Sequence, residues 1–278
     1  MKTFFRSLIL SPTQPSYYKD VLNARTRFSI NYYILLALTL TTITSVAGII
    51  NYAPALKTDF TQVAQEVVRD FPQDLVIDIK STGITANAPF PLVAQTPTAF
   101  IKNQPGALPK NLLIIDPQGQ IGMLAEYDAL ALLNNSYLIV GDGESVQTAP
   151  LKDFPDLRLD AGFMGRLAGV ARFIAGNAFW LTGLAFEVVS LMDFFVVKLM
   201  YLLFSAFVLR LFHKTLFATF AQAFKLSVHS FTLPVLISTT LGIAGVNIPL
   251  PGWFVILHTI FVLYILTKLE KSTKMSPQ

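Results

Sequence analysis

The stretch that decides the fold is INYYILLALTLTTITSVAGII, residues 30–50, which is largely apolar and carries no charged side chain. At about 1.5 Å of rise per residue, a helix of this length just crosses a hydrocarbon core about 30 Å thick. The tripeptide at 45–47 resembles a signal-peptidase site, but the segment before the apolar run is longer than the start of a typical signal peptide. We therefore expect residues 30–52 to form a first transmembrane helix that is retained.

The composition of the whole chain agrees with an integral membrane protein. Of its 278 residues, 53% are hydrophobic and 14% are charged, whereas soluble globular proteins carry about 25% charged residues. The mean hydropathy of +0.54 points the same way. The chain has no cysteine, which excludes disulfides, thiolate nucleophiles, zinc–cysteine sites and iron–sulfur clusters.

The segment before the first helix, residues 1–29, is basic. A single acid, Asp20, stands against Lys2, Arg6, Lys19, Arg25 and Arg27. Because basic residues remain on the cytoplasmic side of a membrane, we expect the N-terminus to lie in the cytoplasm.

The same segment has the residue types of a helix on a membrane surface. The run FFRSLIL at 4–10, together with Tyr17 and Tyr18, predicts an amphipathic segment at the anionic cytoplasmic leaflet. Nucleic acid is the competing partner for basic and aromatic residues, but five positive charges beside a membrane span make a weak case for it. We expect no nucleic acid partner.

Residues 53–162 have a different character. Thirteen acidic and nine basic residues lie between positions 53 and 172, and no apolar run there approaches spanning length. An amphipathic pattern predicts a helix over 59–70, and a second helix is expected around 125–133. Short β-rich pieces occur at 75–80, 91–94, 111–116 and 136–141. Because the connections are short, we expect an α+β domain dominated by antiparallel pairing, outside the cytoplasm.

The second half of the chain returns to long apolar runs, which predict three more crossings. The expected order is an interfacial helix at 163–183, a second transmembrane helix at 184–210, a cytoplasmic amphipathic segment at 211–230, further transmembrane helices at 231–248 and 252–268, and a cytoplasmic tail at 269–278. The fold class predicted is thus a membrane α-helical bundle of about four transmembrane helices with an inserted extracytoplasmic α+β domain.

Four stretches resemble a bacterial family of membrane proteins known as the domain of unknown function 1189 family. They are FFRSLILSPTQPSYYKDV at 4–21, NLLIIDPQGQ at 111–120, SYLIVGDGESVQTAPLKDFPDLRLD at 136–160 and FAQAFKLSVHSFTLPVLIST at 220–239. The resemblance covers nearly the whole chain through the order and spacing of these stretches, and none of them is a catalytic motif. That family is in turn distantly similar to Yip-type membrane proteins. The resemblance implies a bundle architecture and carries over no functional residues.

Charged side chains within the predicted crossings are the strongest candidates for function. Glu187, Asp193 and Lys198 lie in the second crossing, and a charge at the centre of a membrane costs about 2.5–3.5 kcal/mol on insertion scales. At about 100° per residue on an α-helix, no two of them point the same way at the same height. Their partners should therefore come from elsewhere, and His258 in the fourth crossing is the candidate partner of Asp193.

Other possible sites are weaker. The histidines at 213, 229 and 258 share no helical spacing, so we interpret them as ordinary interfacial residues. Acids at 116, 142, 144, 153 and 156 fit no calcium-binding loop and are expected to be loop residues. Motifs for phosphate binding, dinucleotide binding, and serine or zinc hydrolysis do not occur. We expect no catalytic, cofactor or metal site.

Two functions remain open at this point. The favoured hypothesis is a non-enzymatic accessory, scaffold or sensor protein of the bacterial cytoplasmic membrane, with both termini in the cytoplasm. Its expected partners are the lipid bilayer and either a membrane protein or a second copy of the chain, and the ligand of the extracytoplasmic domain is unknown. The alternative is a small transporter, or a subunit of one, that uses Glu187, Asp193, Lys198 and His258 as an intramembrane polar path.

Overall fold

The computed structural model describes residues 2–103, 108–141, 145–246, 248–250 and 252–274. Most of these residues are helical, and two small sheets lie in the middle of the chain. Four helices are long and apolar enough to cross a membrane. Their bounds are Thr26–Asp70, Ala178–Phe212, Phe220–Ile243 and Trp253–Lys271. The prediction of about four helices long and apolar enough to span a membrane is confirmed among the described residues.

The chain forms two compact units. The helical unit comprises Met1–Asn51 and Thr182–Gln278, and the sheet unit comprises Tyr52–Leu181. The predicted change of character after the first apolar helix therefore corresponds to a separate folded unit.

The N-terminal half of the helical unit is built from three helices. Two short helices, α1 (Lys2–Thr13) and α2 (Tyr17–Asn23), precede the long helix α3 (Thr26–Asp70). The helix predicted over 59–70 is present, but as the end of α3 rather than as a separate element. Pro54 lies inside α3 and cannot donate a hydrogen bond to the carbonyl of Ile50, yet the helix continues through it.

The second half of the helical unit contains the remaining apolar helices. Their bounds are Ala178–Met192 for α7, Leu199–Phe212 for α8, Phe220–Ser230 for α9, Thr232–Ile243 for α10 and Trp253–Lys274 for α11. A π-helical turn, Asp193–Lys198, joins α7 to α8. One residue, Phe231, separates α9 from α10. Pro234 cannot donate to the carbonyl of Ser230, which accounts for the interruption at this point.

Two apolar clusters hold the helical unit together. One joins α2, α8, α9 and α11 around Tyr18, Phe217 and Leu226. The other joins α3, α9 and α10 around Leu36, Val228 and Phe231. Each of these six side chains is at most 1% exposed. Helices α8 and α9 contribute to both clusters. Because Lys225 to Ser230 of α9 are buried without a break, α9 is the central helix of this unit.

The described residues of the sheet unit form eight strands in two sheets. The strands are β1 (Ile77–Lys80), β2 (Gly83–Ala86), β3 (Leu92–Gln95), β4 (Asn111–Ile115), β5 (Ala129–Leu133), β6 (Tyr137–Gly141), β7 (Val146–Pro150) and β8 (Leu157–Leu159). The smaller sheet has the order β2-β1-β8 and the larger one the order β3-β4-β5-β6-β7. Short helices α4 (Thr98–Asn103) and α5 (Met123–Glu126) complete an α+β fold.

The expectation of antiparallel pairing holds for the described strands except one pair. Strands β4 and β5 pair in parallel, with Asn111 opposite Ala129. The chain between them includes α5 and is long enough for the crossover that parallel strands need. The helix predicted over 125–133 is wrong for its second part, because residues 129–133 form β5.

The last helix of the sheet unit is α6 (Ala161–Gly176), which corresponds to the first part of the predicted interfacial helix. The side chain of Asp160 caps its start by accepting a hydrogen bond from the amide of Phe163 at 2.8 Å. Ala168 and Ala171 of α6 pack with Ala64 of α3. These small side chains let two helix backbones approach closely within the sheet unit.

Candidate functional site

Glu187 of α7 is bound by two hydroxyl groups of α3. The hydroxyl of Ser45 donates to its Oε2 at 2.7 Å and that of Thr41 to its Oε1 at 3.1 Å. These two positions lie about 10 Å along α3 from the end of the apolar run at Ile50. Glu187 is therefore inside the apolar part of the bundle rather than at its boundary.

Two glycines bring α3 and α7 together beside Glu187. A Cβ atom at Gly48 would lie 2.6 Å from the ring of Phe186, and one at Gly183 would lie 2.8 Å from Cδ1 of Ile49. Such distances are too short for any side chain. The glycines thus allow the close approach that puts the hydroxyl of Ser45 within hydrogen-bonding distance of Glu187.

Asp193 and Lys198 form an ion pair within one helical turn, with Nζ and Oδ2 separated by 2.5 Å. The expectation that these two residues cannot neutralise each other was wrong. It assumed a regular α-helix, in which residues five apart point about 140° away from each other. The chain forms a π-helix over Asp193–Lys198, and its i to i+5 pattern brings the two side chains together.

The ion pair has further contacts on the same turn. Nζ of Lys198 lies 4.0 Å from the centre of the Phe194 ring, at cation–π distance. The hydroxyl of Tyr33 in α3 donates to the carbonyl of Phe194 at 2.5 Å. The Asp193 side chain is nevertheless 43% exposed, compared with 18% for Lys198. The carboxylate therefore lies on the outside of the helical unit.

His258 does not bind Asp193, contrary to the prediction. Its Nδ1 lies 2.6 Å from the hydroxyl of Tyr201, and its Nε2 lies 2.9 Å from the hydroxyl of Ser230. Both ring nitrogens therefore have partners, and the imidazole is 1% exposed. The prediction failed because hydroxyl groups on α8 and α9, which carry no charge, were not considered as partners.

A second buried histidine, His229, was not predicted as a site residue. Its Nδ1 lies 3.1 Å from the hydroxyl of Tyr17, and its Nε2 lies 3.1 Å from the hydroxyl of Ser29. The ring stacks between Phe28 and Tyr32, with interplanar angles of 17° on both sides. The interpretation of the histidines as interfacial is wrong for both His229 and His258, since each is buried.

The stretch around His229 gave a signal in the sequence. In VHSFTLP, residues 228–234, the histidine is followed directly by a serine, a phenylalanine and a threonine. These residues interrupt an otherwise apolar run just before Pro234. His229, Ser230, Phe231 and Thr232 are all 0% exposed. Thr232 also pairs with the hydroxyl of Tyr32 at 2.8 Å. Polar residues that interrupt an apolar helix on adjacent positions indicate contacts on more than one side.

Lys225 ties α9 to the end of α2. Its Nζ donates to the carbonyl of Ala24 at 2.7 Å and also to that of Leu22. Carbonyls at the end of a helix lack intrahelical partners, and a lysine ammonium group satisfies them well. Lys225 is 5% exposed, so this basic residue acts inside the fold.

The described residues bring no three histidines or acids together as a metal site would require. His213 lies apart from the other histidines, with its Nδ1 4.0 Å from Oε1 of Glu270. Asp116 is a turn residue whose Oδ1 accepts from the amide of Gln118 at 3.0 Å. The acids predicted as loop residues at 142 and 144 lie outside the described residues.

In the sheet unit, Glu66 connects the end of α3 to α4. Its carboxylate accepts from the amide of Thr98 at 3.0 Å, from the Thr98 hydroxyl and from Nε2 of Gln62 at 2.8 Å. Burial alone would raise the pKa of Glu66, but the hydrogen bonds from Thr98 and Gln62 hold this pKa below its usual value. Glu66 is thus an ionised cap at the start of α4.

Comparison with curated proteins and with solved structures gives no match. A family model described as "Protein of unknown function (DUF1189)" matches residues 5–269. The match extends over parts of both units. This chain therefore belongs to the DUF1189 family.

Proposed function

We propose that the protein is a non-enzymatic accessory subunit of the bacterial cytoplasmic membrane. In this role the helical unit binds a partner membrane protein beside the π-helical turn, and the sheet unit binds or senses a ligand outside the cytoplasm. Both termini lie in the cytoplasm, in accordance with the basic residues that precede α3 and with the lysines in the last turns of α11.

The observation that carries the proposal is the exposure of the Asp193–Lys198 pair. Charged residues inside membrane segments almost always point into a bundle or a water-filled cavity. Here the Asp193 side chain is 43% exposed in the single chain, with Met192 and Val197 beside it 61% exposed. An apolar surface with one ion pair suits the transmembrane helix of a partner, whose polar side chain supplies a further hydrogen bond.

The transporter alternative has less support. A polar path needs groups that can exchange a proton or an ion along a line. Glu187 is bound by Thr41 and Ser45, Asp193 by Lys198, and His258 by Tyr201 and Ser230. These are three separate sets of contacts, which fits structural roles better than a path.

The sheet unit supports the binding role through an exposed edge. Strand β7 is an edge of the larger sheet, and its first three residues, Val146–Thr148, are exposed. An edge strand offers backbone donors and acceptors to an added strand. This feature favours a peptide or protein segment over a small molecule as the ligand of the sheet unit.

Site-specific photo-crosslinking in native membranes tests the helical part of the proposal. A photoreactive residue at Val197 is expected to give one adduct of defined mass. The same residue at Ile260, which is 60% exposed on α11, serves as the matched control and should give none. The adduct should weaken in a variant with Asp193→Asn and Lys198→Met.

The outcomes separate the alternatives. An adduct with the mass of two copies would identify a homo-oligomer as the partner. No adduct at Val197, or equal adducts at Val197 and Ile260, would contradict the accessory role at this surface. A variant without residues 75–159 keeps α3 and α6, and we expect it to retain the Val197 adduct but to fail to complement a gene deletion. Full complementation would contradict the role of the sheet unit.

A further inference from the structure

Helix α1 has two different faces. Ser7 and Ser11 are 2% and 1% exposed, and Phe4 and Leu8 pack against the apolar cluster of α3, α9 and α10. The opposite face carries the exposed residues Lys2, Phe5, Arg6 and Ile9. The residues on this outer face recur every three or four positions, so they form one continuous stripe. The small polar residues therefore point inward, and two large apolar residues point outward.

The orientation of α1 is fixed by its contacts. Phe4 lies against Tyr32 of α3, with ring centres 5.6 Å apart. The hydroxyl of Tyr18 in α2 donates to the carbonyl of Ser11 at 2.8 Å. The exposure of Phe5 and Ile9, at 55% and 63%, is consequently a property of the packed helix and not of a frayed end.

The outer face has the chemistry of a surface that binds lipid. Two apolar side chains one turn apart lie beside two cations on the same stripe. This is the arrangement by which helices rest in the boundary between headgroups and acyl chains. The charges later in the same segment agree, because Lys19, Arg25 and Arg27 are also exposed, against one exposed acid, Asp20. Anionic phosphates attract such clusters.

The position of α1 in the chain also fits a membrane surface. The apolar run of α3 begins at Ile30, only a few residues after α2 ends at Asn23. The sequence prediction placed the run at 4–10, together with Tyr17 and Tyr18, at the membrane surface. Those two tyrosines are 8% and 1% exposed, so they belong to the protein core, and the outer stripe of α1 remains for the lipid.

We propose that the face of α1 formed by Lys2, Phe5, Arg6 and Ile9 binds anionic phospholipid. Phe5 and Ile9 enter the acyl-chain boundary, and Lys2 and Arg6 bind the lipid phosphates. This inference rests on membrane insertion of the chain and is independent of the accessory role proposed above.

Single-cysteine labelling tests the proposal directly, because the chain has no cysteine of its own. The full-length variants Phe5→Cys and Ile9→Cys are labelled with a polarity-sensitive fluorophore and placed in nanodiscs. Thr3→Cys is the matched control, since Thr3 is exposed on the same helix but lies off the stripe. Acyl chains carrying a spin label report contact by quenching. Both leaflets of a nanodisc have the same lipid composition, so the result does not depend on topology.

We expect the fluorescence of a label at position 5 or 9 to shift to the blue and to be strongly quenched by the spin-labelled lipid. A label at position 3 should be quenched only weakly. Quenching by spin-labelled phosphatidylglycerol should exceed quenching by spin-labelled phosphatidylcholine. Removing the cations with Lys2→Gln and Arg6→Gln should make quenching by the two spin-labelled lipids nearly equal. Each basic residue near an anionic surface accounts for about a fivefold preference.

Three results would overturn the proposal. Equal, weak quenching at positions 3, 5 and 9 would place the stripe in water or against protein. Strong quenching without preference for the anionic lipid would remove the role of Lys2 and Arg6. A preference that survives Lys2→Gln and Arg6→Gln would assign the phosphate contacts to other residues.

Discussion

The hydroxyl of Tyr17 lies 3.1 Å from Nδ1 of His229, although the two residues are 212 positions apart. This contact joins α2 to the central helix α9. Burial raises the pKa of Tyr17 to about 12, so its phenol stays protonated at neutral pH and remains able to donate. The N-terminal segment is thereby part of the folded bundle.

A double-mutant cycle on Tyr17→Phe and His229→Leu should show coupling of about 1 kcal/mol, the usual net value of one hydrogen bond. The measurement is unfolding of the purified full-length chain in detergent by titration with a denaturing detergent. Tyr137→Phe is the control, because Tyr137 is 45% exposed, and it should change stability by less than about 0.5 kcal/mol. If the effects of Tyr17→Phe and His229→Leu on the free energy of unfolding simply add, the contact contributes nothing to stability.

Gly48→Ala should destabilise the chain by about 1–3 kcal/mol, since the added methyl group overlaps the ring of Phe186. Gly165→Ala is the matched control on a helix. No atom lies within 4 Å of a Cβ built there, so alanine should raise stability by about 0.5–1 kcal/mol. Thermal unfolding of both variants measures whether stability falls for Gly48→Ala and rises for Gly165→Ala. A neutral Gly48→Ala would show that α3 and α7 can separate without cost.

Lys198→Met alone should lower the amount and the stability of the protein more than Lys198→Met combined with Asp193→Asn. The single change leaves the Asp193 carboxylate without its cation inside an apolar segment, whereas the double change removes both charges. The amount of full-length protein extracted from membranes, and its stability in detergent, measure the difference. If the double variant is the less stable of the two, the ion pair does more than neutralise Asp193.

Glu66→Gln should cost about 1 kcal/mol at pH 7, because a charged acceptor is replaced by a neutral one. Since the folded state lowers the pKa of Glu66, its contribution is complete above the ordinary glutamate pKa of about 4.3 and is lost as the pH falls through the lowered value. The stability difference between wild type and variant should therefore shrink below about pH 4.

Limited proteolysis of the full-length wild type and variant, at pH 7 and below about pH 4, measures this difference in stability within the sheet unit. Glu126→Gln, at an exposed position in α5, is the matched control and should show no such dependence. A difference for Glu66→Gln that stays constant with pH would mean that folding does not lower the pKa of Glu66.

The apolar runs and most β-rich pieces could be predicted from the sequence because their signals are local. Residues 30–50 form part of α3. The pieces at 75–80, 111–116 and 136–141 contain β1, β4 and β6, and the piece at 91–94 covers most of β3. The parallel pairing of β4 with β5 was missed because it depends on a register between distant strands. Residues 129–133 were predicted as part of a helix, since ALALL lacks the alternation of apolar and polar residues that indicates a strand.

The sequence indicated some of the polar residues within the helical unit, but not His229 and not the contacts that these residues make. Glu187, Asp193, Lys198 and His258 were found because charge within an apolar run is visible in a sequence. Their actual partners were not, because Ser45, Tyr201 and Ser230 are neutral residues from other helices. The pairing of Asp193 with Lys198 required a departure from α-helical geometry that the residue types alone do not reveal.

The π-helical turn has a consequence for how the second apolar helix tolerates changes in length. A π-helical turn holds one more residue than the α-helical turn it replaces. If the same residues formed a regular α-helix instead, everything after the turn would be rotated by about 100°. Leu202, Ala206 and Leu209, now buried on α8, would turn out of the core. The π-helical turn thus absorbs one extra residue and keeps the rotational register of α8 matched to the core.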